Sequence, residues 1–173
     1  MSGYIYEPLA GHERSSFECG VPSLDDYLRE RASQDAKRRV AAPFVMLDAD
    51  RTILGYYTLS AFAIRLRDLP ESTAKKLPRY PLLPATLLGR LAVSRHHQGR
   101  RLGTLLLMDA LHRSLRNTSQ IASVGVVAES INDAAREFYL HHEFLPIPND
   151  PRRVFVAMAT IATAFRLPHL PQS

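Results

Sequence analysis

A single mixed α/β (α+β) domain, with a mostly antiparallel central sheet flanked by helices, is the fold class this sequence predicts. Apolar, β-branched and aromatic residues run along both sides of Asp48-Ala49-Asp50-Arg51, which reads as a hairpin turn. A strand-like run from Leu87 to Val93 then meets a basic glycine loop and an amphipathic helix. A further strand, helix and hairpin follow, with no repeat, low-complexity tract or linker between them.

In chain order, Ser23 precedes Leu24-Asp25-Asp26-Tyr27-Leu28 and reads as the N-cap of a helix. Leu24, Tyr27, Leu28, Ala32 and Ala36 mark its apolar stripe, and it ends near Arg38. Pro43 opens a strand over Phe44 to Leu47, which turns back into a second strand from Thr52 to Ala63. Prolines 70, 78, 81 and 84 break regular structure from Leu69 to Pro84, leaving a charged loop with room for a short helix around Ala74 to Leu77. Beyond Val93, Leu102, Leu105, Leu106, Leu111 and Leu115 recur at helical spacing, so a helix begins close to Gly103. A strand at Ser123 to Ala128 and a helix from about Asn132 to His141 come next. Phe144 to Ile147 and Val154 to Ala159 form a last hairpin around Pro148-Asn149-Asp150-Pro151, and the tail, Pro168 to Ser173, reads as loose.

At 173 residues the chain is long enough to bury a real core, and 46% hydrophobic with 23% charged residues fits a soluble globular protein. No apolar run approaches the roughly 20 residues of a membrane span, and Met1-Ser2-Gly3-Tyr4 does not open a secretory signal. A cytoplasmic protein with no membrane partner is the expectation. The single cysteine, Cys19, excludes an internal disulfide and reads as a partly buried small side chain rather than a nucleophile. The adjacent pairs His96-His97 and His141-His142 point in different directions and do not chelate one ion, so no metal is expected.

A net charge of +5 and a pI near 9.7 favour an anionic partner. The basic residues cluster at Lys37-Arg38-Arg39, Arg65 with Arg67, Lys75-Lys76 with Arg79, Arg100-Arg101 and Arg152-Arg153. A solvated surface explains any one cluster; together they raise the case for nucleic acid.

The loop Gln98-Gly99-Arg100-Arg101-Leu102-Gly103 carries the chemistry. A first helical turn offers free N–H groups and the positive end of the macrodipole, and glycine lets a phosphate come close to the backbone. No glycine-rich turn follows the first strand and no Gly-Lys-Ser/Thr occurs, which sets aside dinucleotide and triphosphate folds.

This order resembles the GNAT family of N-acetyltransferases, whose acetyl-CoA loop reads Gln/Arg-x-x-Gly-x-Gly/Ala. Gln98 to Gly103 matches it except that Arg101 stands where the first glycine is usual. The family's second signature, Asn-x-x-Ala-x-x-x-Tyr-x-x-x-Gly-Phe, is matched by Asn132, Ala135, Tyr139 and Phe144, with Glu143 in place of glycine. Phe17-Glu18-Cys19-Gly20 with Leu24-Asp25-Asp26-Tyr27-Leu28, Gly55 to Ala61, Leu77-Pro78-Arg79-Tyr80-Pro81 and Leu88 to Val93 narrow the resemblance to TacT-type toxins.

The resemblance implies an acetyl-CoA-dependent enzyme that acetylates the α-amino group of aminoacyl-tRNA and blocks translation. It also implies a ribbon-helix-helix antitoxin partner, operator DNA reached through that antitoxin, and a homodimer. Backbone groups of Leu91, Ala92 and Val93 would hold the pantetheine arm. Amides of Gln98, Gly99, Arg100, Arg101, Leu102, Gly103 and Thr104 would hold the pyrophosphate, provided φ at Arg101 is not positive. Asn132 would meet the cofactor or serve simply as an N-cap. Tyr139, a donor at neutral pH, would protonate the leaving thiolate. Arg90, Lys75, Lys76 and Arg79 are the expected RNA contacts. The other readings are acetylation of a protein N-terminus or small amine by the same site, and a non-catalytic nucleic-acid-binding regulatory partner.

Overall fold

The computed structural model describes residues 3–166, so Met1, Ser2 and residues 167–173, with them the tail from Pro168 to Ser173, lie outside the described residues. Seven strands form one sheet in the order β1-β2-β3-β4-β5-β7-β6. They are β1 (Ile5–Pro8), β2 (Ala42–Leu47), β3 (Ile53–Arg65), β4 (Leu82–Val93), β5 (Gly125–Glu129), β6 (Leu145–Ile147) and β7 (Asp150–Ala157). The helices are α1 (Pro22–Asp26), α2 (Ala32–Arg38), α3 (Glu71–Ala74), α4 (Leu102–Asn117), α5 (Asp133–His141) and α6 (Met158–Ala164). A π-helical turn, Tyr27–Arg31, joins α1 to α2.

The described residues divide into two compact units, 3–61 with 87–110 and 62–86 with 111–166. In the first, β1 and β2 pair antiparallel with Ile5 opposite Leu47, and β2 and β3 pair antiparallel with Val45 opposite Tyr56. Asp48 closes the predicted turn by accepting from the N–H groups of Asp50 and Thr52. The core of this unit gathers Phe17, Leu24, Tyr27, Leu28, Val45, Leu47, Tyr56 and Ala92. Burying such side chains yields roughly 1.5–3 kcal/mol each, so the cluster anchors the helical segment on the sheet.

In the second unit β5, β7 and β6 are antiparallel neighbours, with Val127 opposite Phe155 and Leu145 opposite Phe155 on the other edge. Helices α5 and α6 pack on β7. The apolar run Val126-Val127-Ala128 is fully buried, the mark of a strand covered on both faces.

Four expectations need correction. Helix α1 opens at Pro22 on a Val21 cap without side-chain help, so Ser23 lies inside it; proline at the first turn needs no N–H partner. The loop expected up to Pro84 ends at Leu82, where β4 begins. Pro84 sits in that strand as an acceptor, its carbonyl taking the Val124 N–H at 2.9 Å. The short helix expected at Ala74 to Leu77 runs instead from Glu71 to Ala74. The strand expected to reach Ala159 gives way to α6 at Met158.

Candidate active site

In the first unit the end of β4 carries Leu91, Ala92 and Val93, and a short 3-10 turn, Arg95–His97, leads to the loop Gln98 to Arg101 and the start of α4. The glycine loop is strapped down from the amino-terminal segment. Arg95 N–H donates to the Glu18 carbonyl at 2.7 Å, its guanidinium pairs with Glu18 at 2.9 Å, and the Gln98 amide donates to the carbonyls of Cys19 and Val93 at 3.1 Å each. The Gln98 side chain is therefore spent on the protein, and only its backbone remains for a phosphate.

Gly99 (φ 88°) and Arg101 (φ 58°) both have positive φ. Alternating backbone handedness turns successive N–H groups toward one side, the geometry of an anion-binding nest, directly before the first turn of a 16-residue helix. The condition placed on Arg101 thus fails: it occupies the left-handed region, at a cost of about 1–2 kcal/mol for a residue with a Cβ. Its N–H persists in that conformation. Gly99, Arg100 and Arg101 are exposed, so the cradle and its two cations face solvent and fit a polyphosphate.

Gly55 on β3 lets β4 come close. A Cβ there would lie 2.8 Å from the Ala92 carbonyl oxygen, a contact that forces backbone to shift. Sequence patterning carried no sign of this constraint, because it is a cross-strand one. Arg90, one residue before Leu91, stacks on the Tyr27 ring at 3.5 Å from its centroid. Burial, and then the hydrogen bond to Asp35, push the Tyr27 phenol up to about 12. Cys19 is likewise pushed up to about 11, by burial first and then by Asp25, so the thiol stays protonated at neutral pH.

In the second unit Asn132 caps α5, its side chain accepting the Ala135 N–H at 2.8 Å. The cap explains both Asn and Ala of the signature: Asn supplies the acceptor and a small residue at the third helical position leaves it access. Tyr139 is buried between Phe138 and Phe144, at ring separations of 5.5 and 5.3 Å. Burial alone pushes its phenol well above the ordinary range, and among the described residues its hydroxyl has no hydrogen-bond partner. A tyrosine held protonated, with no protein acceptor to occupy its proton, is suited to donate.

The end of α5 shows why the signature carries Gly-Phe. Glu143 N–H donates to the Leu140 carbonyl and Phe144 N–H to the Tyr139 carbonyl, the paired bonds of a Schellman motif, with Phe144 packed back on Tyr139. Such a motif wants a left-handed residue, and Glu143 takes that place at φ 69°.

The expected RNA contacts Lys75, Lys76 and Arg79 are exposed around the end of α3 in the second unit, whereas Arg90 lies in the first. The Arg152-Arg153 cluster is neutralised internally, Arg152 pairing with Asp133 and Arg153 with Glu129, each at 3.1 Å. Among the described residues no group of three or more His, Cys, Asp or Glu is arranged to hold a metal ion, and no helix is long and apolar enough to cross a membrane.

A family model described as the acetyltransferase (GNAT) family matches residues 9–144. The chain is similar to a tRNA-acetylating toxin of Mycobacterium tuberculosis, 36% identical over 144 residues that cover 83% of this chain and 85% of that protein. It is similar to a probable toxin TacT of Sinorhizobium fredii, 28% identical with 91% and 92% covered. Among solved structures, AtaT complexed with acetyl-methionyl-tRNAfMet superposes with a TM-score of 0.86 at 25% identity, covering 94% of this chain and 99% of that one. The signatures at Gln98 to Gly103 and Asn132 to Phe144 fall on the exposed glycine loop before α4 and on a capped helix with a buried tyrosine, and the matched region contains both. The chain therefore belongs to the acetyltransferase (GNAT) family of acyl-transferring enzymes.

Proposed function

We propose that this protein is an acetyl-CoA-dependent N-acetyltransferase that acetylates the α-amino group of aminoacyl-tRNA and so inhibits translation, as a cytoplasmic, single-domain toxin. The observation that carries this reading is the 36% identity, over 83% of the chain, to a protein whose name is tRNA-acetylating toxin. The basic balance and the exposed Lys75, Lys76 and Arg79 support it, since salt-sensitive phosphate contacts would position an acceptor end without reading sequence. A ribbon-helix-helix antitoxin, operator DNA through it, and a second copy of the chain are the further partners of the reading.

Acetyl-CoA, when bound, supplies an acetyl group activated as a thioester. In this reading the backbone at Leu91, Ala92 and Val93 holds the pantetheine arm. Amides from Gln98 through Gly99, Arg100, Arg101, Leu102 and Gly103 to Thr104 hold the pyrophosphate, with the macrodipole of α4 behind them. Asn132 acts mainly by capping α5, which fixes the helix that carries Tyr139. The Tyr139 hydroxyl gives its proton to the departing sulfur.

No side chain is needed as base. An α-amine has a pKa of about 7.7–8.0, so roughly a tenth or more is neutral at pH 7, against well under a thousandth of a lysine. Water takes the proton. The reading is tested in a cell-free translation extract: added protein stops synthesis only when acetyl-CoA is present, and Tyr139→Phe does not stop it. Arrest without acetyl-CoA, or by Tyr139→Phe equally, contradicts the reading.

A further inference from the structure

Where α2 runs into β2, the first unit has an open groove of about 480 Å³. Leu9, Val40, Phe44 and Leu59 supply its apolar lining, and Arg39 stands among them. Val40 and Ala42, which border it, are exposed, so the groove leaves too much of a small ligand wet to enclose one.

The lip of this groove is costlier than the end of a helix requires. Helix α2 closes in a Schellman motif, Arg39 N–H donating to the Ala36 carbonyl at 3.2 Å and Val40 N–H to the Asp35 carbonyl at 3.0 Å. The left-handed seat of such a motif suits glycine, yet Arg39 fills it at φ 60° and bears the strain of a residue with a Cβ. The next residue commonly packs back on an apolar side chain of the helix. Here that helix position holds Asp35, which accepts the Tyr27 hydroxyl at 2.9 Å, and Val40 stays 60% exposed.

Lys37, Arg38 and Arg39 are all exposed, and among the described residues none of their side chains makes a hydrogen bond or an ion pair. The macrodipole favours cations at the carboxyl end of a helix and accounts for Lys37 and Arg38. It does not account for a cation in the seat of a glycine, beside an exposed valine.

From this pairing of unspent cations with an unfilled apolar groove, we infer that the surface docks a segment of a partner protein in which Asp or Glu residues flank bulky aliphatic or aromatic side chains. The apolar side chains fill the groove, and the carboxylates pair with Arg39 and its two neighbours. RNA offers phosphates but nothing apolar for the lining. The aromatic ring of that lining, Phe44, is stacked on Tyr57 at 5.3 Å and 24° rather than presented to a base. A second copy of the chain would set the same cations against each other across a two-fold contact. None of these residues takes part in the function proposed above, so the inference stands apart from it.

The test selects a displayed library of short peptides on the full chain and measures the affinity of each selected peptide for wild type and two variants. The selected peptides are expected to carry Asp or Glu beside Leu, Ile or Phe. Val40→Glu, which adds a repelling charge at the lip, weakens them at least about tenfold. Arg39→Gly also weakens them about tenfold, the size of one lost charge-assisted contact, yet raises Tm by about 1–4 °C because glycine suits the seat. A structural role for Arg39 would not move stability and binding in opposite directions. An empty selection, selected peptides that are basic or wholly polar, or equal binding to wild type and both variants overturns the inference. So does tRNA binding that both variants weaken equally, which makes the groove a nucleic-acid surface, or a dimer that Val40→Glu dissociates, which makes it a contact between copies.

Discussion

Glu143 occupies the left-handed seat that closes α5, at φ 69°, with the Schellman bonds to Leu140 and Tyr139 intact around it. Left-handed backbone costs a residue with a Cβ about 1–2 kcal/mol, and glycine returns part of that through its floppier unfolded chain. Glu143→Gly is therefore expected to stabilise by about 0.5–1 kcal/mol, a rise in Tm of about 1–4 °C by calorimetry; a fall in Tm contradicts the strain. Both departures from motif glycine, Arg101 and Glu143, were visible in the sequence as substitutions, but their positive φ was not. For Tyr139, whose hydroxyl has no acceptor among the described residues, Tyr139→Phe should lower kcat by about 10²- to 10⁴-fold while leaving both KM values near wild type. A loss confined to KM would make the tyrosine a packing residue.

At the scale of elements, α4 and α5 were legible because helical periodicity, capping and glycine placement are local properties of the chain. The same holds for the β2–β3 hairpin, whose turn residues bond their own neighbours. β1 was not legible: four residues ending in proline carry no alternation to read, and the strand exists because β2 offers it a partner at the sheet edge. The π turn at Tyr27–Arg31 was equally silent, since nothing in the local spacing distinguishes it from α-helix. The close approach of β3 to β4 is a cross-strand property of the same kind. Gly55→Ala sets a Cβ against the Ala92 carbonyl and should destabilise by about 1–3 kcal/mol. Because the displaced strand includes Leu91, Ala92 and Val93, the same variant should raise the KM for acetyl-CoA at temperatures where it remains folded. An unchanged KM would mean that this stretch does not hold the cofactor.

For the molecule as a whole, charge was legible in amount but not in disposition. The Arg152-Arg153 pair, which reads as a free basic patch, is spent on Asp133 and Glu129, leaving Lys75, Lys76, Arg79, Arg100 and Arg101 among the exposed cations. Burial of neutral acids also sets the alkaline limit of stability. Cys19 and Tyr27 are raised to about 11 and about 12, and Tyr139 is raised as well, so each favours folding while protonated. That stabilisation is complete below the unfolded values, near 8.5 for a thiol and 10 for a phenol, and is lost as pH climbs through the raised ones. The Tm should hold from pH 7 to about 8.5 and fall above pH 9, and Cys19→Ala should delay the first part of the fall; a Tm that rises above pH 9 contradicts the assignment.

The measurement that bears most directly on function is transfer of labelled acetyl groups from acetyl-CoA to a mixed pool of charged tRNA, with uncharged tRNA as control. Label is expected on charged tRNA only, released together with the amino acid when the ester is hydrolysed. Bound acetyl-CoA with no label on charged tRNA, and transfer to a protein N-terminus or a small amine instead, would contradict it.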